Sequence, residues 1–146
     1  MSNKILILCT GNSCRSQMAE GMFKSFDSTL EVCSAGTQPT KNVHPIAVKV
    51  MNEIGINIHD YIPKNVDTFV NQQFDYLITV CDHAKETCPV FTGTVKNRLH
   101  MGFNDPAAFV GSIRERDDFF RKVRDQIKHD FFEFYNRTLK SEEHNI

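Results

Sequence analysis

Eight residues near the start of the chain, Cys9-Thr10-Gly11-Asn12-Ser13-Cys14-Arg15-Ser16, place a thiol, a glycine, an asparagine and a guanidinium in one short stretch. The apolar run Ile5-Leu6-Ile7-Leu8 before it reads as a buried strand. Met18, Ala19, Met22, Phe23 and Phe26 after it recur at helical spacing. A loop between a strand and a helix N-terminus turns unpaired N–H groups and the positive end of the helix dipole toward an anion. Thr10, Gly11, Asn12, Ser13 and Cys14 supply that loop, and Gly11 and Asn12 tolerate the left-handed conformations that point successive N–H groups inward. Arg15 adds a planar fork that matches two oxygens of a tetrahedral oxyanion. Cys9, at the base of this bowl, is the candidate nucleophile. Thiols at helix N-termini beside cations ionise well below their ordinary value of ~8.5, which is the chemical reason for a cysteine here. The Ser16 hydroxyl either donates to the thiolate or serves as a plain helix cap.

Cys81 and Cys88 form a second constellation. On an α-helix, residues seven apart stand about 10 Å apart along the axis, whereas a disulfide requires Cα atoms within roughly 7 Å. A helix between them would have to unwind before they paired. The six residues Asp82 to Thr87, followed by Pro89, make only a marginal helix, so the pair reads as a redox switch. Two other readings stand beside it: zinc ligation by Cys81, His83 and Cys88, whose spacing matches no usual finger, and chemically inert thiols. Cys14 is placed to bridge protectively to Cys9. Asp105, in Asn104-Asp105-Pro106, is either a general acid for a departing oxygen or the first residue of an Asp-Pro turn.

The elements that must position these groups follow from periodicity. Strands are expected at about 4–8, 31–36, 74–80 and 98–101. Helices are expected at about 15–26, from Pro45 to a stop at Gly55, and from Glu115 to about Leu139, with a short helix near Phe69. Strands alternating with helices imply a parallel sheet whose sites gather at the carboxyl ends of the strands, where Cys9 and Cys81 both fall. Cys33 reads as a buried strand residue without chemistry. Phe119, Phe132 and Tyr135 are left over from the last helix's apolar stripe, as an exposed patch suited to a dimer surface. Residues 141–146 read as a frayed tail.

Length and composition bound the classes. At 146 residues the chain is expected to form one domain, 1–146, with a real core. Seventeen Lys plus Arg against 18 Asp plus Glu give a net charge of -1, so no basic field argues for nucleic acid or a membrane surface. No secretory signal or membrane-spanning run is visible, and a cytoplasmic location is expected. Five cysteines, an odd number without an export signal, argue for transient sulfur chemistry rather than a structural disulfide framework.

With these residues in view, the chain resembles the low-molecular-weight protein tyrosine phosphatase superfamily. Cys-x5-Arg-Ser carries the resemblance, and Ser16-Gln17-Met18-Ala19-Glu20-Gly21 looks like its thioredoxin-coupled arsenate reductase branch. Ser34-Ala35-Gly36, the Cys81 and Cys88 pair with Pro89, and Gly102-Phe103-Asn104-Asp105-Pro106-Ala107 extend it along nearly the whole chain. The resemblance implies a three-layer α/β sandwich with a four-stranded parallel sheet and helices on both faces. It also implies reduction of arsenate, with Cys81 attacking Cys9, Cys88 resolving the bridge, and thioredoxin restoring the dithiol. A glutaredoxin or a mycothiol-like thiol is the alternative donor. Potassium held by Asn12, Glu20 and Ser34 beside the loop belongs to the same resemblance. Here the usual acidic partner is replaced near Lys64, whose ammonium takes the ion's place, so no tightly bound cofactor is expected. Two further functions remain open. The first is phosphotyrosine hydrolysis, weakened by Gln17 where the esterase branch has proline and by Ala107 and Ala108 where it has aromatic residues. The second is a non-enzymatic redox sensor that uses the loop only as an anion site.

Overall fold

A computed structural model describes residues 3–82, 86 and 90–140. The expectations for a helix across 82–87, for His83 and Cys88, and for the tail fall wholly or mainly outside these residues.

Four strands, β1 (Lys4–Cys9), β2 (Glu31–Gly36), β3 (Gln73–Thr79) and β4 (Thr94–His100), form one parallel sheet in the order β2-β1-β3-β4. Three helices, α1 (Arg15–Phe26), α2 (Pro45–Asn52) and α3 (Ile113–Phe134), pack on one face. A 3-10 turn at Val66–Phe69 and Phe91 pack on the other. This is the expected α/β sheet with helices. β1 is central because its side chains are apolar on both faces: Ile5 and Ile7 point into the cluster with α1, α2 and α3, and Leu6 and Leu8 into the cluster with Phe69, Phe74 and Phe91. A strand buried on both sides needs such a continuous apolar run. No helix among the described residues is long and apolar enough to cross a membrane.

The large phenylalanine content has a packing role. Phe23 of α1 meets Phe131 of α3 edge to face at 4.8 Å, and Phe131 stacks on Phe103 at 6.0 Å. Burying one such ring contributes roughly 1.5–3 kcal/mol. Phe103 thereby anchors the loop that carries Asp105 onto α3. Tyr135 is buried, and its hydroxyl donates to Asp27 Oδ2 at 2.9 Å. The expected exposed patch therefore loses this member: Phe132 stays about half exposed at 48%, while Phe119 stacks on Phe109.

Boundaries depart from expectation for local reasons. β4 begins four residues earlier than its apolar positions suggest, because it is an edge strand whose register comes from pairing with β3, Gln73 opposite Thr94. Its polar residues face solvent, with Lys96 3.4 Å from Asp75. α3 starts at Ile113 because Ser112 and Glu115 form a reciprocal capping box. α2 closes at Asn52, and Gly55, with φ of 81°, turns the chain away three residues later.

Two close contacts position the site. Gly36 at the end of β2 lies opposite Cys9, and a β-carbon there would overlap the Thr10 carbonyl. Glu53, just beyond α2, accepts from Arg121 and Arg124 of α3, tying the two helices together. The Arg121 hydrogen bonds, opposed by burial and assisted by Arg124, bring its carboxyl down to about 2 from 4.5.

Gly36→Ala is expected to displace the Thr10 backbone and to lose most anion binding while the sheet still forms, read by phosphate titration and circular dichroism. A carboxyl with a lowered folded value contributes stability above its unfolded value and loses it as pH falls toward the folded one. Glu53→Gln should thus lower stability by about 1 kcal/mol or less at pH 7, with the gap to wild type closing between pH 4.5 and about 2, read by Tm against pH.

Candidate active site

Asn12 organises the loop. Its φ of 51° is the only positive value among the described residues other than Gly55. Gly11 has no positive φ, so one left-handed residue, not two, makes the turn. An asparagine tolerates this conformation better than most side chains. It points the Asn12 N–H at Cys9 Sγ, 3.2 Å away. The side chain of Asn12, fully buried, is oriented without ambiguity because the backbone N–H of Lys64 donates to its Oδ1 at 2.8 Å. Its Nδ2 then donates to Ser16 Oγ at 2.8 Å and to Ser34 Oγ at 2.9 Å. Ser16 Oγ, which accepts from Asn12, also shares a hydrogen bond of 2.8 Å with Cys9 Sγ, in which the hydroxyl is the donor whenever Cys9 is a thiolate. A sulfur that receives both an amide and a hydroxyl hydrogen is suited to carrying negative charge. Of the two readings of Ser16, the geometry matches the donor. The cap position of α1 is held by Cys14, without a side-chain hydrogen bond.

Gln17 positions Asn12, a part that its place in the sequence does not announce. Fully buried, it donates from Nε2 to Asn12 O and Oδ1, both at 3.1 Å, and to Ile62 O at 3.2 Å. It locks Asn12 from the side opposite Ser16, while its own Oε1 is buried without a partner among the described residues. The signal was a polar residue on the inner face of α1 directly after the loop.

Arg15 is 3% exposed. NH1 donates to Phe103 O at 3.1 Å, and NH2 stands 3.8 Å from Asp105 Oδ2. Glu86 approaches both guanidinium nitrogens and also accepts from Thr10 Oγ1 at 3.2 Å. Burial opposes the charge on Arg15, but Glu86, Asp105 and Cys9 outweigh it and raise the value above that of a free arginine. Asp105 makes the Asp-Pro turn and also faces the cleft. Its Oδ1 accepts from the N–H of Ala107 at 3.0 Å, capping the turn Pro106–Ala108, while Oδ2 faces Arg15 at the cleft.

The other cysteines separate clearly. Cys14 is 2% exposed, and its thiol is pushed up to about 12, chiefly by burial, so it stays protonated where a disulfide exchange would need a thiolate. Cys33 lies on β2 and is also raised, mainly by burial. Cys81, fully buried, follows β3, the strand paired with β1, so it and Cys9 stand at adjacent strand ends. Cys81 is disulfide-bonded, whereas Cys9, Cys14 and Cys33 are free. A bonded Cys81 has no thiolate to offer zinc, and among the described residues no cluster of His, Cys, Asp and Glu could hold a metal ion.

The cleft beside Asp105 has a volume of ≈ 420 Å³ and is lined by Asp82, Glu86, Asn104, Asp105, Phe109 and Phe119 among others. An aromatic wall is therefore present, contrary to the reading from Ala107 and Ala108. Phe109, the next residue, is stacked on Phe119 of α3 at 5.0 Å. Neither this cleft nor a larger depression of ≈ 1100 Å³ between Phe103 and α3 has Cys9 or Arg15 in its lining; the cleft reaches Arg15 through Glu86 and Asp105.

The residues suggested for potassium do not fit one. Asn12 Oδ1 is taken by two N–H donors, and Ser34 Oγ donates to Glu20 Oε1 at 2.8 Å. Glu20 Oε2 accepts from Lys24 Nζ at 2.8 Å, and Lys64 Nζ lies 3.8 Å from Oε1. A further cation would stand beside two ammonium charges.

A thiol at a strand end, an arginine at the next helix's start and a carboxylate on a facing loop make this a candidate phosphatase-type oxyanion site on a parallel sheet. The chain belongs to the low molecular weight phosphotyrosine protein phosphatase family, whose sequence model it matches over residues 4–145. It is 45% identical over 129 residues to a protein named arsenate reductase from Halalkalibacterium halodurans, covering 87% of this chain and 91% of that one. It is 46% identical over 129 residues to another of that name from Shouchella clausii, with the same coverage. A solved structure of an arsenate reductase in the phosphate binding state is similar with a TM-score of 0.77 at 30% identity, covering 94% of this chain and 98% of that one.

If the two ammoniums fill the role of a cation, turnover is unchanged when potassium chloride replaces sodium chloride at fixed ionic strength. Lys64→Asp, by removing one ammonium and adding a carboxylate, makes turnover potassium-responsive; strong stimulation of the wild type would refute the assignment.

Proposed function

We propose that this protein reduces arsenate to arsenite through Cys9, Cys81 and Cys88, with reduced thioredoxin as electron donor. The observation that carries the reading is a Cys9 sulfur hydrogen-bonded by Asn12 and Ser16, next to an oxidised Cys81 at the adjoining strand end. The arsenate reductase relatives supply the substrate class.

Arsenate enters the loop, where Arg15 and the N–H groups after Cys9 hold its oxygens. The Cys9 thiolate attacks arsenic, and the hydroxyl that departs takes a proton from Asp105 and leaves as water. Asp105 reaches the cleft from a loop fixed by Phe103, whose N–H donates to Val80 O at 3.1 Å beside Cys81. Cys81, as thiolate, then attacks the Cys9 sulfur. The sulfur–arsenic bond breaks with its electron pair on arsenic, which leaves as arsenite, and a Cys9–Cys81 disulfide remains. Cys88 attacks Cys81, Cys9 leaves as thiolate, and a Cys81–Cys88 disulfide holds the two oxidising equivalents. Thioredoxin's dithiol takes them over. Ser16 and Asn12, by hydrogen-bonding the Cys9 anion, favour it both as attacking group and as leaving group.

Phe109 and Phe119 favour a second reading, hydrolysis of aryl phosphates, since they wall the cleft beside Asp105 where an aromatic ring would lie. The same nucleophile, arginine and acid suffice for it.

Arsenate-dependent NADPH consumption with thioredoxin and its reductase, run beside aryl phosphate hydrolysis, separates reductase, phosphatase and a non-enzymatic sensor. Reductase turnover exceeding hydrolysis is expected. Cys88→Ser should complete at most one turnover and accumulate a Cys9–Cys81 bridge, seen by mass spectrometry of non-reduced peptides. Sustained thioredoxin-linked turnover by that variant would refute the relay.

A further inference from the structure

Arg15, the group assigned to the oxyanion, already holds a carboxylate. Both oxygens of Glu86 engage its guanidinium, Oε1 at NH1 and Oε2 at NH2, in the fork-on-fork arrangement that two oxygens of a tetrahedral anion would use. Thr10 Oγ1, the first hydroxyl of the loop, donates to Oε2 at 3.2 Å, and the N–H of Asp82 donates to Oε1 at 2.7 Å. Burial raises the carboxyl of Glu86, but the hydrogen bonds from Arg15 and Asp82 bring it below its ordinary value, so it is charged at neutral pH. Its side chain is 21% exposed and that of Arg15 is 4%. An oxyanion cannot take the same fork until this carboxylate has left.

The state in which the contact exists is informative. Cys81 is disulfide-bonded, and Asp82, the residue after it, holds Glu86 through its backbone. With Cys88 as the partner, as proposed above, Glu86 lies inside the ring that the disulfide closes. A closed ring restricts the positions available to the carboxylate, which raises its effective concentration at Arg15.

We infer that Glu86 is an internal ligand of the oxyanion loop, seated on Arg15 when Cys81 is oxidised and excluding phosphate-like anions until the disulfide is reduced. The inference rests on the reading of this loop as an oxyanion site. It has a clear chemical use. Oxidised protein lacks the thiols that would discharge a Cys9–arsenate adduct, and arsenate bound at that stage would be trapped.

Inorganic phosphate is the probe, titrated calorimetrically into oxidised and dithiothreitol-reduced protein. Oxidised wild type should bind phosphate about tenfold more weakly than reduced wild type, as expected for a competing charged hydrogen-bonded contact. Oxidised Glu86→Gln should recover the affinity of the reduced form, and Glu86→Ala, checked for folding by circular dichroism, should do the same. Equal phosphate affinity of oxidised and reduced wild type overturns the inference, as does weak binding that persists in both oxidised variants. Failure of every form, reduced wild type included, to bind phosphate overturns the oxyanion reading of the loop and this inference with it.

Discussion

The site depends on one buried asparagine held in a left-handed conformation. With φ at 51°, Asn12 directs its N–H to the Cys9 sulfur, and its side chain joins Ser16, Ser34, Gln17 and the backbone of Lys64 in one connected set of hydrogen bonds. The conformation costs free energy that the isolated loop would not recover. It persists because five partners from four parts of the chain engage its N–H, its carbonyl and both ends of its side-chain amide. Most of them are buried, where an unmade hydrogen bond is expensive. The loop is thus preorganised before any anion arrives, which is the condition under which fixed dipoles are most useful to a developing charge.

The same low-polarity setting sorts the thiols. Cys9 and Cys14 are both about 2% exposed and five residues apart; Cys9 Sγ accepts from the Asn12 N–H at 3.2 Å and pairs with the Ser16 hydroxyl at 2.8 Å, whereas Cys14 Sγ lies 3.7 Å from the Ser13 hydroxyl. Cys14 sits at the start of α1 and is governed by desolvation, which holds it as a thiol. At Cys14, burial disfavours the thiolate more than the Ser13 hydroxyl and Arg15 favour it. The charges around the site obey a related rule. Arg15 is compensated by Glu86 and Asp105, and Glu20 by Lys24 and Lys64, so buried charge is paired in both networks.

Two levels of the sequence were read with unequal success. The nucleophile loop, α1 at Arg15–Phe26 and β2 at Glu31–Gly36 were legible because local signals coincide there: an apolar run, a turn-forming pair and helical spacing. β4 falls where it is expected but starts earlier, because an edge strand needs little apolar surface and takes its limits from its neighbour. The start of α3 is marked by the Ser112–Glu115 capping pattern and not by apolar spacing, because Ile113 is exposed. The aromatic wall was sought at two positions of the Asp-Pro turn and stands at the third, Phe109, where stacking on Phe119 of α3 decides its placement.

By itself, the order of residues marked the candidate site: a cysteine, a turn-tolerant asparagine and an arginine within seven residues between a strand and a helix are a local pattern suited to facing an anion. Contacts between distant segments were decided only by the tertiary structure. Glu86 reaches Arg15 across 71 residues, and Gln17 reaches Ile62 across 45. Neither polar side chain carries a local signal of its partner. Such pairings follow from which strands lie adjacent, and strand adjacency is set by the packing of the whole sheet rather than by any window of sequence.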